Sequence, residues 1–162
     1  MDFIRSSRQF SAATNTIHRM QGLSECINWA MELIDPTQYT ALQQLRLLAN
    51  ERYLYLQALS TIDPLVMEGR AIMFNRQTPA HCDRLDPQRS WATMIVFGTF
   101  TQGGECYIPR LKLRIRYLPG DAIVIRGRLL EHEVLSWNAG QRISIAHFTH
   151  QSIWKEYGLT CP

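Results

Sequence analysis

The sequence predicts an α+β protein, with helices first and a β-sandwich, jelly roll or barrel after them. Two patterns meet near Asp63-Pro64. Before that point apolar residues recur at three- and four-residue steps, the period of an amphipathic helix. After it they fall into short runs separated by Pro, Gly, Asn and Asp, the punctuation of an all-β region.

Residues 1–21 are rich in Ser, Thr, Asn and Gln and read as a flexible arm. Leu23, Cys26, Ile27, Ala30, Met31 and Ile34 then mark a first helix, with Ser24 as its candidate cap and Asp35-Pro36 as its stop. A second helix is expected from Thr37 to Ser60 on Leu42, Leu45, Leu48, Ala49, Leu56 and Leu59. Strands are predicted at Val66–Asn75, Trp91–Phe100, Cys106–Ile108, Lys112–Tyr117, Ala122–Arg126, His132–Trp137 and Arg142–His150. Residues 22–162 are thus expected to form one domain. Its helical support is 22–62, packed on one outer face of a β core at 64–157.

Composition bounds the answer without naming a chemistry. The 162 residues are 46% hydrophobic and 19% charged, which excludes a wholly disordered chain. Lys+Arg 17 against Asp+Glu 14 gives +3, a balance that permits an anionic partner without declaring one. Cys26, Cys82, Cys106 and Cys161 form no C-x-x-C pair and read as reduced thiols. Neither a signal peptide nor a membrane-spanning apolar run is visible, so a soluble nuclear or cytoplasmic protein is expected.

The chemistry sits between Asn75 and His150. His81-Cys82-Asp83 places an imidazole and a carboxylate two residues apart, on one face if the segment is extended. Cys82 then points away. His132 opens a later strand. Two histidines and one carboxylate are the facial triad of non-haem Fe(II), with three positions left open. Arg142 and Ser144 share a strand face downstream, and a guanidinium beside a hydroxyl suits a carboxylate. His147 has the opposite parity. Gly103-Gly104 reads as a turn, since no helix with Lys-Ser/Thr follows it.

The order His-x-Asp, distal His, Arg-x-Ser resembles the Fe(II)/2-oxoglutarate-dependent dioxygenase superfamily. The longer segments are similar to the fungal branch of the TET/JBP group, which holds the methylcytosine dioxygenases and the base-J-binding thymine hydroxylases. They are Asn75-Arg76-Gln77-Thr78-Pro79-Ala80-His81-Cys82-Asp83, Leu118-Pro119-Gly120-Asp121, Arg126-Gly127-Arg128, His132 and Ala146-His147-Phe148-Thr149-His150. The resemblance covers about residues 64–157. It implies a double-stranded β-helix (jelly-roll) core with Fe(II) on His81, Asp83 and His132. It also implies 2-oxoglutarate on Arg142, with Ser144 and Asn75 as further contacts, and ascorbate as the expected reductant. The implied reaction takes O2 and 2-oxoglutarate, releases succinate and CO2, and hydroxylates a C–H bond, with 5-methylcytosine in DNA as the default substrate.

Other readings stay open. The same oxygenase chemistry could act on RNA, a protein side chain or a small molecule, and a jelly roll can also be a binding module without turnover. Arg84, Asp86 and Trp91 are candidate substrate contacts. Arg110, Lys112, Arg114 and Arg116 alternate with Leu111, Leu113, Ile115 and Tyr117. That pattern predicts a strand with a basic face, either a solvated edge or a phosphate-contacting stripe near Arg126 and Arg128. The chain is close to a bare catalytic core, without the additional DNA-gripping elements usual in the methylcytosine enzymes.

Overall fold

A computed structural model describes residues 7–162. The chain divides into two units that meet in sequence at Val66 and Met67.

The first unit is helical: α1 (Ser7–Arg19), α2 (Gln21–Ile34), α3 (Pro36–Arg52) and α4 (Leu54–Ser60). The expected loose arm is therefore helical from Ser7 onward, while residues 1–6 lie outside the described residues. Thr14 and Thr16 do not break α1, because their hydroxyls donate back to the carbonyls of Phe10 (3.0 Å) and Ala12 (2.8 Å). Ser24 is not a cap. It lies inside α2, where its hydroxyl donates to the Met20 carbonyl at 3.2 Å.

Asp35 separates α2 from α3, its carboxylate accepting from Gln38 N at 3.0 Å with Pro36 in the first turn. The predicted second helix is broken at Tyr53, whose backbone is extended (φ −133°, ψ 110°). Ile27, Met31, Leu42, Leu45 and Ala49 are buried. The unit's last residues are pinned by polar contacts. Asn28 donates to Pro64 O (2.7 Å) and accepts from Val66 N (3.0 Å), and Arg46 donates to the carbonyls of Asp63 and Leu65.

The second unit holds two antiparallel sheets. One has the order β1 (Gly69–Phe74), β7 (Arg142–Phe148), β2 (Ala92–Gly98), β5 (Ala122–Ile125). The other has the order β4 (Leu113–Ile115), β3 (Cys106–Ile108), β6 (Glu133–Val134). A further bridge pairs His81 with His132. Val96, Phe100, Cys106, Ile108, Tyr117, Ile123 and Ile125 form a buried apolar cluster drawing on strands of both sheets. Along β7, Arg142, Ser144, Ala146 and Phe148 line one cavity at alternate positions, and Ile145 reaches it as well.

Two expectations for this unit fail. The basic stripe is not one strand: Pro109–Leu111 form a single 3-10 turn, Lys112 is left-handed (φ 51°), and β4 is only three residues long. Proline supplies no backbone N–H for a ladder, so pairing stops there. Arg110, Lys112, Arg114 and Arg116 are all exposed, but so are Leu111 and Leu113. The sequence also gave no hint of α5 (Gln151–Glu156), a six-residue helix anchored by the buried Trp154.

Candidate active site

His81 and His132 exchange both backbone hydrogen bonds of an antiparallel bridge, 3.0 Å and 2.9 Å long. Their rings come within 4.4 Å, centroid to centroid. Asp83 reaches the same point from a segment held by its own N–H, which donates to Gly127 O at 3.0 Å. One ligand atom from each of His81, Asp83 and His132 falls within 4.8 Å of the others.

The tautomers suit a cation. His81 Nδ1 lies 3.0 Å from Pro79 O, and His132 Nδ1 lies 2.9 Å from Leu130 O. A carbonyl can only accept, so each Nδ1 carries a proton and each Nε2 is the atom left to meet a cation. Asp83 Oδ1 is 3.4 Å from His81 Nε2. Two imidazoles and a carboxylate, open on one side, fit a divalent first-row metal such as Fe(II).

The cluster lines a cavity of about 380 Å³ that runs to Arg142. Arg142 is 1% exposed, and its Nε and Nη2 have no hydrogen-bond partner among the described residues. Phe100, Tyr117 and Trp137 turn their faces to the guanidinium at 5.9, 5.2 and 5.6 Å. Desolvation pushes its pKa down from the ordinary arginine value, with Tyr117 and Cys106 opposing. The Tyr117 hydroxyl is likewise buried and without a partner, and its pKa is raised, mainly by burial. Ser144 lines the same wall, buried. Orphaned buried donors are rare, and here they converge on one space, so the donor set fits a carboxylate.

Asn75, expected at the cosubstrate, is elsewhere. It is exposed and left-handed (φ 48°), and its Oδ1 accepts from Arg142 N at 2.8 Å while its own N donates to Arg142 O at 2.7 Å. Its side chain closes the β1–β7 ladder instead of lining the cavity. Trp91 is also outside. Ala92 and Met94 face the metal cluster's cavity, whereas Trp91 lines a second one of about 310 Å³, under the Arg126 guanidinium at 4.5 Å.

Arg84 and Asp86 do line the first cavity, Arg84 exposed and Asp86 buried. Burial, with Asp83 adding to it and Arg128 opposing, pushes the Asp86 carboxyl up to about 7. Among the lining residues that the sequence does not single out are Tyr117, Phe148 and His150, and Cys82, expected to point away, lines the cavity too. Tyr117 ended an alternation that looked like a strand. Phe148 and His150 stack at 4.6 Å and 20°, and His150 Nε2 stands 3.8 Å from Asp86 Oδ1. The parity of β7 was the signal for both.

No protein-family model and no curated protein sequence matches the chain. Among solved structures it is similar to NgTET1 in complex with 5mC DNA, at 21% identity and a TM-score of 0.51. That match covers 57% of this chain and 37% of NgTET1, so the chain spans little more than a third of that protein's length. The match to the viral collagen prolyl hydroxylase vCPH from Paramecium Bursaria Chlorella virus-1, in its 2OG complex, has 16% identity and a TM-score of 0.35. It covers 62% of this chain and 68% of that one. The NgTET1 similarity is one of fold.

Proposed function

We propose that the chain is an Fe(II)/2-oxoglutarate-dependent dioxygenase on a double-stranded β-helix, hydroxylating the methyl group of 5-methylcytosine in DNA. The observation that carries this is the pairing, in one cavity, of a His/Asp/His cluster with a buried arginine that has no carboxylate partner among the described residues. The first is a site for a cation and the second a site for a carboxylate, and 2-oxoglutarate bridges two such groups.

His81, Asp83 and His132 hold the metal, and the carbonyls of Pro79 and Leu130 fix both imidazole tautomers. Arg142, Tyr117 and Ser144 hold the distal carboxylate. Iron and cosubstrate, once bound, supply the oxidising chemistry, with 2-oxoglutarate leaving as succinate and CO2. The protein supplies orientation and a wall of apolar side chains, among them Ala71, Met73, Met94 and Val134, that keeps water from the reacting methyl group.

Support for a base as substrate comes from the far side of the cavity. Phe148 lines it with its ring stacked on His150, an aromatic pair at the cavity wall. Asp86 and His150 stand side by side as a hydrogen-bonding edge. In its protonated form the Asp86 carboxyl both donates and accepts, as the edge of a pyrimidine requires. The fold similarity to NgTET1, itself bound to 5mC DNA, points the same way.

The test is nucleoside mass spectrometry of 5-methylcytosine duplex DNA after incubation with protein, Fe(II), ascorbate and 2-oxoglutarate, with succinate quantified in parallel. Oxidised methylcytosine, absent with His81→Ala, is the expected result. Succinate without a changed base would transfer the chemistry to RNA, protein or a small molecule. Neither product, from folded and iron-loaded protein, would leave a binding module.

A further inference from the structure

The loop after Asp83 places Arg84, Leu85 and Asp86 in succession on the rim of the cavity. Its backbone is fixed at both ends: Asp86 N donates to Asp83 O (3.1 Å), Leu85 O accepts from Gln151 N (2.8 Å), and Ser90 N donates to Pro87 O (3.1 Å). Asp86 turns inward. Leu85 turns outward and is 66% exposed, alone in this among the large hydrophobic residues that line the cavity. A single exposed leucine is ordinary on a protein surface. One held on a braced loop at the mouth of a cavity, next to cations, is not.

Arg84 is exposed on that loop. Arg128 comes from the loop after β5, and its Nη1 donates to Asp86 O at 3.5 Å. Arg84 forms no ion pair with a carboxylate among the described residues, and Arg128 acts electrostatically on the Asp86 carboxyl without closing an ion pair. Between Arg126 and Arg128, the Gly127 carbonyl accepts from Asp83 N. The two loops and their cations therefore flank the metal cluster itself.

We propose that this rim opens duplex DNA, with Leu85 entering the base stack in place of an extruded base and Arg84 and Arg128 holding the neighbouring phosphates. The proposal rests on the base-oxidation reading and adds how the base reaches the cavity. A base inside a duplex cannot present its methyl group to ligands that line a cavity, so it must leave the stack. Apolar side chains serve as wedges at such steps, and arginines on the backbone supply affinity without reading sequence.

The experiment uses the full chain and a duplex carrying 2-aminopurine at the target position, whose fluorescence rises when it unstacks. Wild type should raise the signal on binding. Leu85→Ala should lose most of the rise while still binding, and Leu85→Met should keep it. The ratio of duplex to single-strand oxidation should fall about tenfold in Leu85→Ala. Arg84→Ala/Arg128→Ala should reduce the slope of log affinity against log salt by about two. Arg110→Ala/Lys112→Ala should leave the fluorescence rise in place.

A full rise with Leu85→Ala, or an unchanged salt slope, would overturn the proposal even where wild type oxidises methylcytosine. So would a wild type that does not bind duplex. A rise that depends on Leu85, with no oxidation of the base, would uphold the proposal and sink the methylcytosine reading instead.

Discussion

Gly127 and Asp83 approach so closely that a Cβ on Gly127 would stand 1.9 Å from Asp83 Oδ2, in the cluster that could hold a metal. It would also come within 3.3 Å of His132 Cε1. The glycine here meets a need for close approach, not for a left-handed backbone. Gly127→Ala should therefore fold but weaken metal binding at least about tenfold, the scale seen when groups that orient metal ligands are disturbed. Mn(II) titration followed by EPR measures this directly. Wild-type affinity in that variant would refute the placement of Asp83.

The buried guanidinium of Arg142 gives a second prediction, in which stability and binding move in opposite directions. An uncompensated buried charge costs folding free energy, which the three aromatic faces offset only in part. Arg142→Met should thus leave the ligand-free protein as stable as wild type, or more stable by about 1–2 kcal/mol. In wild type, 2-oxoglutarate at a hundredfold over its Kd should add about 2.7 kcal/mol. In the variant that gain should vanish. Thermal unfolding with and without 2-oxoglutarate, in the presence of Mn(II), reads both effects; a variant still stabilised by the ligand would place the carboxylate elsewhere.

Tyr117→Phe removes one hydroxyl from the same wall. The hydroxyl is buried without a partner, so its loss should not destabilise the ligand-free chain. It should instead weaken 2-oxoglutarate by about 1–2 kcal/mol, a five- to thirtyfold rise in Kd, because a charge-assisted hydrogen bond is lost. Calorimetry of 2-oxoglutarate binding decides it. An unchanged Kd would leave Tyr117 as packing for Arg142 and nothing more.

Much of this site was readable from residue type and parity. His81, Asp83 and His132 stand out in the sequence because metal ligands come from a short list of side chains, and the fold brings these three together. Arg142 and Ser144 were paired because β7 alternates regularly, and the same alternation carried on to Phe148 and His150. What was not readable depended on where irregular backbone goes. Asn75 has the side chain to greet a carboxylate, but its left-handed conformation turns it back onto the Arg142 backbone. Trp91 lies one residue before Ala92, and that single step of parity sends it away from the metal cluster's cavity. Tyr117 becomes informative only when the chain returns to set it against Arg142. The run 110–117 alternates as a strand should, yet Pro109 and the left-handed Lys112 leave only Leu113–Ile115 paired.

Asp86 supplies a prediction in pH. Its carboxyl is 5% exposed, and burial followed by repulsion from Asp83 raises its pKa to about 7, with Arg128 opposing. In the unfolded chain it titrates near the ordinary value of about 4. Between those two values the folded protein binds more protons than the unfolded one, so its stability falls as pH rises. The contribution is fully present below about pH 4 and is lost as pH passes about 7. At about 1.4 kcal/mol per unit the whole effect is at most about 4 kcal/mol, and solvent relaxation will make it smaller. Asp86→Asn keeps the shape and removes the titration. Urea unfolding of metal-free protein at pH 5 and pH 8 should show wild type losing stability relative to Asp86→Asn over that interval. Parallel behaviour of the two proteins would mean that Asp86 ionises in the folded state as freely as in water, and that the cavity wall does not hold the carboxyl in its protonated form.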